Sequence, residues 1–119
     1  TGAIHFAHPY GCSQLGDDNK TTQLILRGLI NHPNAGGVLV LGLGCENNNI
    51  DEMKNVLGEV NEDRIKFLCV QDCENEYAEG RKIIEKIPNK DIWELYRLSD
   101  AFVNLNQQEI LYFRFLLEV

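Results

Sequence analysis

The feature that most constrains the fold of this sequence is a short, wholly apolar run enclosed by glycines. The segment 38–41 reads Val-Leu-Val-Leu, and it lies between the glycine pair 36–37 and Gly42. A strand with one solvent-exposed face alternates apolar and polar residues, whereas a continuous apolar run is typical of a strand covered on both faces. Such strands belong to parallel sheets flanked by helices. The run therefore predicts an α/β fold.

Strand and helix patterns alternate around this run. Strand patterns cover residues 3–8 and 64–70, and helical spacing of apolar residues covers 19–32, 50–60 and 74–87. At least three strand–helix units in succession predict a three-layer, mostly parallel sheet with flanking helices, as in Rossmann-like folds. The predicted buried stripe of the first helix contains Thr22, Ile25, Leu26, Leu29 and Ile30.

Two further predictions concern the surfaces of these helices. Asp17 and Asp18 precede the first helix and offer carboxylates that accept hydrogen bonds at its N-cap. In the third helix, the spacing of Tyr77, Ile84 and Ile87 predicts that all three lie on its inner side.

The chain divides into two parts at Pro88. Residues 1–88 are predicted to form the α/β core, and residues 89–119 a C-terminal extension that is helical or mixed. Within the extension, 91–98 fits a helix, and 107–119 fits either a helix or a strand. The apolar residues of 107–119 are too many for a small monomer to bury, so we expect some to face another domain or a second copy of the chain. Because the chain begins with Thr1 rather than Met, we expect it to be a piece of a longer polypeptide.

Composition argues against several classes of function. The 119 residues carry a net charge of −7 and no extended cluster of Lys and Arg, so nucleic-acid binding is not expected. No run approaches the ~20 apolar residues of a membrane span, and no secretory signal is visible, so we expect a cytoplasmic protein. The four cysteines are then expected to be free thiols, and the absence of a C-x2-C pair argues against a zinc knuckle.

The cysteines nevertheless mark the predicted functional edge of the sheet. Cys12, Cys45 and Cys73 each follow a predicted strand, whereas Cys69 lies inside the third strand as a small apolar residue. Ligands of open α/β sheets bind at the carboxyl ends of the strands. The topology therefore predicts that the loops after the first two strands converge on one site.

We name these loops the first Gly-Cys loop (residues 8–18, HPYGCSQLGDD) and the second Gly-Cys loop (residues 42–48, GLGCENN). Cys12 precedes a helix, whose positive end stabilises a thiolate, so a reactive or metal-binding thiol is predicted there, with an inert buried cysteine as the alternative. The glycines before Cys45 permit close approach of a ligand or metal. His8 fits a general acid or base, a metal ligand or a plain strand-end residue. Glu46 fits a ligand of a hard metal or of substrate hydroxyls.

At these two loops the sequence resembles a known family. Residues 8–18 and 32–48 are similar to the central domain of the altronate/galactarate dehydratases, and the resemblance covers about residues 3–87. It implies a hydro-lyase of hexuronate catabolism, which removes water from a sugar acid and leaves a 2-keto-3-deoxy acid. Residues 89–119 do not match the sequence pattern expected for the family, and family members are far longer than this chain. We therefore expect the remaining domains as partners, allow for a homo-oligomer, and expect the isolated chain to be inactive.

The resemblance also implies a divalent metal, Fe(II) or Mn(II), and less strongly an iron–sulfur cluster. Cys12 and Cys45 are the expected metal donors. The expected catalytic residues are His8, Cys12, Cys45 and Glu46. The expected substrate-binding residues are Gly11, Ser13, Gln14, Gly44 and Asn47. The alternative function is a non-catalytic α/β module that binds a sugar acid or a partner protein.

Overall fold

The computed structural model of the protein describes residues 3–86 and 113–118. Strands and helices alternate along the chain, which confirms the predicted α/β class. The elements are β1 (Ala3–Phe6), α1 (Gly16–Ile30), β2 (Ala35–Gly42), α2 (Ile50–Leu57), β3 (Ile65–Cys69), α3 (Glu76–Lys86) and β4 (Phe113–Glu118). A 3-10 turn at Val70–Asp72 lies between β3 and α3.

The described strands form one parallel sheet in the order β1-β4-β2-β3. The last strand in the chain is thus inserted between the first and second. Residues 113–118, which belong to the predicted extension, therefore lie in the same sheet as the predicted core. A position between β4 and β3 makes β2 an interior strand of this sheet, and this explains its continuous apolar run.

Helices cover both faces of β2. On one face Val38 and Val40, each 0% exposed, belong to a core cluster with residues of α1 and α2, such as Leu26 and Met53. On the other face α3 approaches so closely that a Cβ atom at its Gly80 would lie 3.9 Å from the Leu39 side chain. Alternate residues of one strand therefore serve two helical layers, which confirms the three-layer prediction.

The connection from α1 to β2 is held by an arginine that precedes β3. The Arg64 guanidinium donates to the Ile30 carbonyl at 2.8 Å, to the Ala35 carbonyl at 2.9 Å and to the His32 carbonyl at 3.1 Å. The last carbonyls of a helix have no intrahelical partner. Arg64 therefore supplies donors for the end of α1 and ties the turn after it to the start of β3.

Three predictions about helix surfaces were wrong. The helix α1 begins at Gly16 with Leu15 as its N-cap, so Asp17 and Asp18 lie in its first turn and cap nothing. Their carboxylates still favour the positive end of the helix dipole. Ile25 is 60% exposed and Tyr77 is 84% exposed. Both were assigned from helical spacing, which does not tell how wide the covered stripe of a helix is.

Three other predictions lie partly or wholly outside the described residues. The helix proposed for 91–98 is outside them, as is Ile87. The segment 107–119 was left open between helix and strand, and its described part is β4. None of the helices in the described ranges is long and apolar enough to cross a membrane.

Candidate functional site

The two Gly-Cys loops meet beyond the carboxyl ends of their strands, as the topology predicted. The Cys12 thiol lies 3.2 Å from the carbonyl oxygen of Cys45, to which it donates. Both cysteines are free and exposed. The thiol of Cys12 is therefore joined to the backbone of Cys45, and both cysteines are within reach of solvent.

Asn47 makes the second link between the loops. Its side-chain Nδ2 donates to the Gln14 carbonyl at 2.6 Å, and its backbone N–H donates to the Gly11 carbonyl at 3.4 Å. Gly11 adopts a φ of +48°, a left-handed conformation that glycine enters without a steric penalty. The link therefore depends on one side chain of the second loop and on the backbone of the first.

Two predicted substrate-binding residues also have roles inside the first Gly-Cys loop. The hydroxyl of Ser13 donates to the Tyr10 carbonyl at 2.5 Å and closes a tight turn around Gly11 and Cys12. The Gln14 side-chain oxygen accepts from the hydroxyl of Thr22 at 2.6 Å and so anchors the loop to α1. The structure thus shows both side chains shaping the loop, and their contact with substrate stays a prediction.

Glu46 is the most deeply buried carboxylate of the described residues, with 5% of its surface exposed. Its Oε2 accepts from the backbone N–H of Gly44 at 2.6 Å, while its Oε1 is buried without a hydrogen-bond partner in the described part of the chain. A Cβ atom at Gly42 would lie only 2.7 Å from that Oε1, so the end of β2 accommodates the carboxylate only because residue 42 has no side chain.

Asn48, which the sequence did not single out, is also buried and belongs to the same loop as Glu46. It is 1% exposed, and its Oδ1 has no partner within the described ranges. An unpaired buried acceptor costs about 1–3 kcal/mol, so such groups are normally satisfied by protein, water or ligand. The second Gly-Cys loop therefore contains two buried acceptor atoms, Glu46 Oε1 and Asn48 Oδ1, that have no donor among the described residues.

His8 lies beyond the end of β1, at the start of the first Gly-Cys loop. Its Nδ1 accepts from the Tyr10 backbone N–H at 3.4 Å, and its ring is tilted against the Tyr10 ring with 6.0 Å between centroids. With Nδ1 as an acceptor, the neutral ring carries its proton on Nε2. That Nε2 is buried and has no hydrogen-bond partner among the described residues.

The turn after β3 contributes a third wall, which the sequence indicated only through Cys73. The Gln71 backbone N–H donates to the Leu43 carbonyl at 3.1 Å, and the Cys69 thiol lies 3.6 Å from the same oxygen. Gly44 has a φ of +126°, and a Cβ atom there would lie 2.6 Å from the Gln71 side-chain oxygen. Gly44 is therefore the point of closest approach between the second Gly-Cys loop and this turn.

Cys73 itself has a local role. Its thiol donates to the Cys69 carbonyl at 3.0 Å. Burial, followed by a hydrogen bond and charge repulsion from Glu79, raises the pKa of the Cys73 thiol. The neutral thiol is thereby favoured, which does not suit a nucleophile or a metal ligand.

The described residues do not by themselves form a metal centre. Within residues 3–86 and 113–118, no group of three or more His, Cys, Asp or Glu side chains is arranged to hold an ion. The Cys12 thiol is directed at the Cys45 carbonyl rather than toward a third donor. Any metal at the two thiols would therefore need ligands from outside these residues.

The structure is a parallel α/β domain with two joined loops at the ligand-binding edge of its sheet, and comparison with known proteins identifies its family. Residues 1–90 match the second domain of D-galactarate dehydratase/altronate hydrolase, so the chain belongs to that family. It is 55% identical over 80 residues to the altronate dehydratase of Bacillus subtilis, covering 67% of this chain and 16% of that protein. It is 42% identical over 88 residues to the altronate dehydratase of Escherichia coli, covering 74% and 18%. No solved structure gave a significant match.

Proposed function

We propose that these residues supply part of the active site of a hydro-lyase. The reaction removes water from altronate, or from a related sugar acid, and leaves a 2-keto-3-deoxy sugar acid. The observation that supports this most directly is the contact between the two Gly-Cys loops, because it joins the Cys12 thiol to the Cys45 backbone at the ligand-binding edge of the sheet, where both cysteines are exposed. The chain spans less than a fifth of the length of the two relatives named altronate dehydratase, so the other walls of the site are assigned to the rest of the protein.

The chemistry requires a base and an acid. The C2–H bond, α to the carboxylate, breaks as a base takes the proton, and the C3–OH bond breaks as an acid protonates the departing hydroxide. The enol that remains takes up a proton at C3 and becomes the 2-keto acid. His8 fits the acid, because its Nε2 carries a proton and has no partner in the described structure. Cys12 and Cys45 form the contact between the loops and are both exposed, and we assign them to the reacting end of the substrate.

The remaining predicted site residues have supporting roles in this proposal. Glu46 fixes the Gly44 amide, and Asn47 fixes the first loop against the second. The Gly11 and Gly44 backbones leave room for a ligand to approach, while Ser13 and Gln14 shape the loop beside it.

A divalent ion, Fe(II) or Mn(II), stays within the proposal, with Cys12 and Cys45 as the donors from this chain and an iron–sulfur cluster as the lesser choice. Such an ion would stabilise the negative charge that develops on the substrate carboxylate. Since the described residues offer no group of three donors, we assign no catalytic step to it. We also propose a cytoplasmic location, association with the remaining domains of the protein, and a possible second copy of the chain.

The test is turnover by the protein at its full natural length, with the 2-keto acid product measured by a carbonyl reagent. Changing Cys12 or Cys45 to Ser should lower kcat/KM for altronate by at least about 100-fold, as expected for groups that act on the transition state. Cys73→Ser serves as the matched control, because the Cys73 thiol bonds only locally to the Cys69 carbonyl. If the two variants keep full activity, the chain is better described as a non-catalytic binding module.

The role of the ion and the incompleteness of the chain are tested separately. Anaerobic purification followed by elemental analysis should find iron or manganese in the full-length protein, and less of it in Cys12→Ser. The isolated 119 residues should give no product even with added Fe(II). Normal turnover by the isolated chain would contradict the proposal, because it would show that these 119 residues contain the whole active site.

A further inference from the structure

A cavity of about 430 Å³ lies beside the second Gly-Cys loop and is not used by the roles assigned above. It is formed between that loop, the first turn of α2 and the end of β3. Ligand cavities in proteins are commonly about 300–1,000 Å³, so its size suits a small metabolite. Its lining residues are Gly44, Asn49, Ile50, Asp51, Lys54, Phe67, Cys69, Gln71 and Asp72.

The structure also contains a larger cavity, of about 690 Å³, which extends to the start of β3 and shares Lys54 and Phe67 with the smaller one. Gly58, Glu59 and Ile65 line it, and these residues surround the start of that strand. Ligands of parallel α/β sheets bind at the carboxyl ends of the strands. Position therefore favours the smaller cavity over the larger one.

The smaller cavity adjoins the second Gly-Cys loop at Gly44. Gly44 lines it, and Cys45 is the next residue, with about 3.8 Å between their Cα atoms. A side chain at residue 44 would meet the Gln71 side chain at 2.6 Å and the Cys69 sulfur at 3.1 Å. The second Gly-Cys loop and the turn after β3 therefore pack closely at Gly44, which is the wall of the cavity next to Cys45 in the chain. A six-carbon molecule bound in the cavity is long enough to extend past this one residue to the Gly-Cys loops.

The walls of the cavity suit hydroxyl groups better than a carboxylate. Asp51 and Asp72 present two carboxylates against the single cation of Lys54, which itself lies over the Phe67 ring at 5.2 Å. A carboxylate of the substrate would be repelled by Asp51 and Asp72. Substrate hydroxyls, in contrast, donate readily to these carboxylates, and they both donate to and accept from the side-chain amide of Gln71.

We infer that this cavity binds the hydroxyl-bearing end of the sugar acid, C4 to C6, while the carboxylate end lies at the Gly-Cys loops. This inference rests on the proposed function and adds the orientation of the substrate. Gln71 and Asp72 are assigned as specificity-determining residues. Both are exposed in the described structure, so their substitution should leave the fold intact.

The experiment is calorimetric titration of the full-length protein with 3-deoxyaltronate, a hexonate that lacks the leaving hydroxyl and is not dehydrated. Asp72→Leu and Gln71→Leu should each raise Kd by about ten-fold, since each removes a hydrogen bond to the ligand. Glu62→Gln, which alters the larger cavity, is the matched control and should leave Kd unchanged. Saturation transfer from protein to ligand should be strongest at the C5 and C6 protons.

Unchanged Kd in both variants, or strongest transfer at C2, would overturn the inference even if the protein dehydrates altronate. A Kd that rises as much in Glu62→Gln as in the other two variants overturns it as well. Absence of any hexonate binding by the unmodified protein contradicts the inference and, together with absent turnover, the proposed function.

Discussion

Replacement of Arg64 by Met tests how the chain between the two Gly-Cys loops is held. The side chain donates at least three hydrogen bonds to carbonyls around the end of α1 and the start of β2. Two of them are part-buried, at 2.9 and 2.8 Å, and the third is exposed. At about 1 kcal/mol for each part-buried bond, plus up to about 0.5 kcal/mol for a cation at a helix C-terminus, Arg64→Met should lower the free energy of unfolding by about 2–3 kcal/mol.

Urea unfolding followed by circular dichroism measures this loss, provided that the transition is two-state. Arg64→Lys keeps the charge but loses the fork of donors, so its stability should fall between those of the wild type and Arg64→Met. Arg81→Met is the control, because Arg81 pairs with Glu85 on the surface with 73% and 54% of the side chains exposed, and a solvent-screened pair of this kind should contribute little to the free energy of unfolding. If Arg64→Met costs no more than Arg81→Met, the reasoning about Arg64 is refuted.

Three further predictions concern the two Gly-Cys loops and the turn after β3. Asn47→Asp removes the donor to the Gln14 carbonyl and should lower the free energy of unfolding by about 1–3 kcal/mol in urea; an unchanged midpoint would show that this bond does not hold the loops. Gly42→Ala places a Cβ atom 2.7 Å from Glu46 Oε1 and should destabilise by about 1–3 kcal/mol; a wild-type melting temperature would contradict the packing described. Cys73, whose pKa burial raises, should react with iodoacetamide at pH 8 more slowly than the exposed thiols, as peptide mapping would show; equal rates would argue against its burial.

Much of the fold followed from local patterns. The apolar run 38–41 predicted a strand covered on both faces, and β2 is such a strand, with helices on either side. The alternation of strand and helix patterns predicted the parallel sheet and therefore the meeting of the two Gly-Cys loops. These predictions succeed because hydrophobic periodicity and the handedness of βαβ connections are properties of short stretches of chain.

The detail of the site did not follow from the sequence in the same way. Glu46 and Asn47 were singled out as reactive or binding groups, yet the structure shows that each also holds a loop in place. Asn48 and Gln71 were missed, although Gln71 follows the third strand and the same topological rule indicated that position. Which atom of a polar side chain is already paired depends on neighbours that are distant in sequence, and no spacing rule reports them.

The sequence by itself determined the fold class, the family and the two loops, since each is encoded in contiguous residues. Only the tertiary structure decided that residues 113–118 form a strand between β1 and β2, because an apolar segment fits a helix or a strand until its neighbours are known. Only the tertiary structure joined the Cys12 thiol to the Cys45 carbonyl and opened a cavity beside Gly44. These features arise where separate strands end at one edge of a sheet, and their geometry is set by the packing of the whole domain.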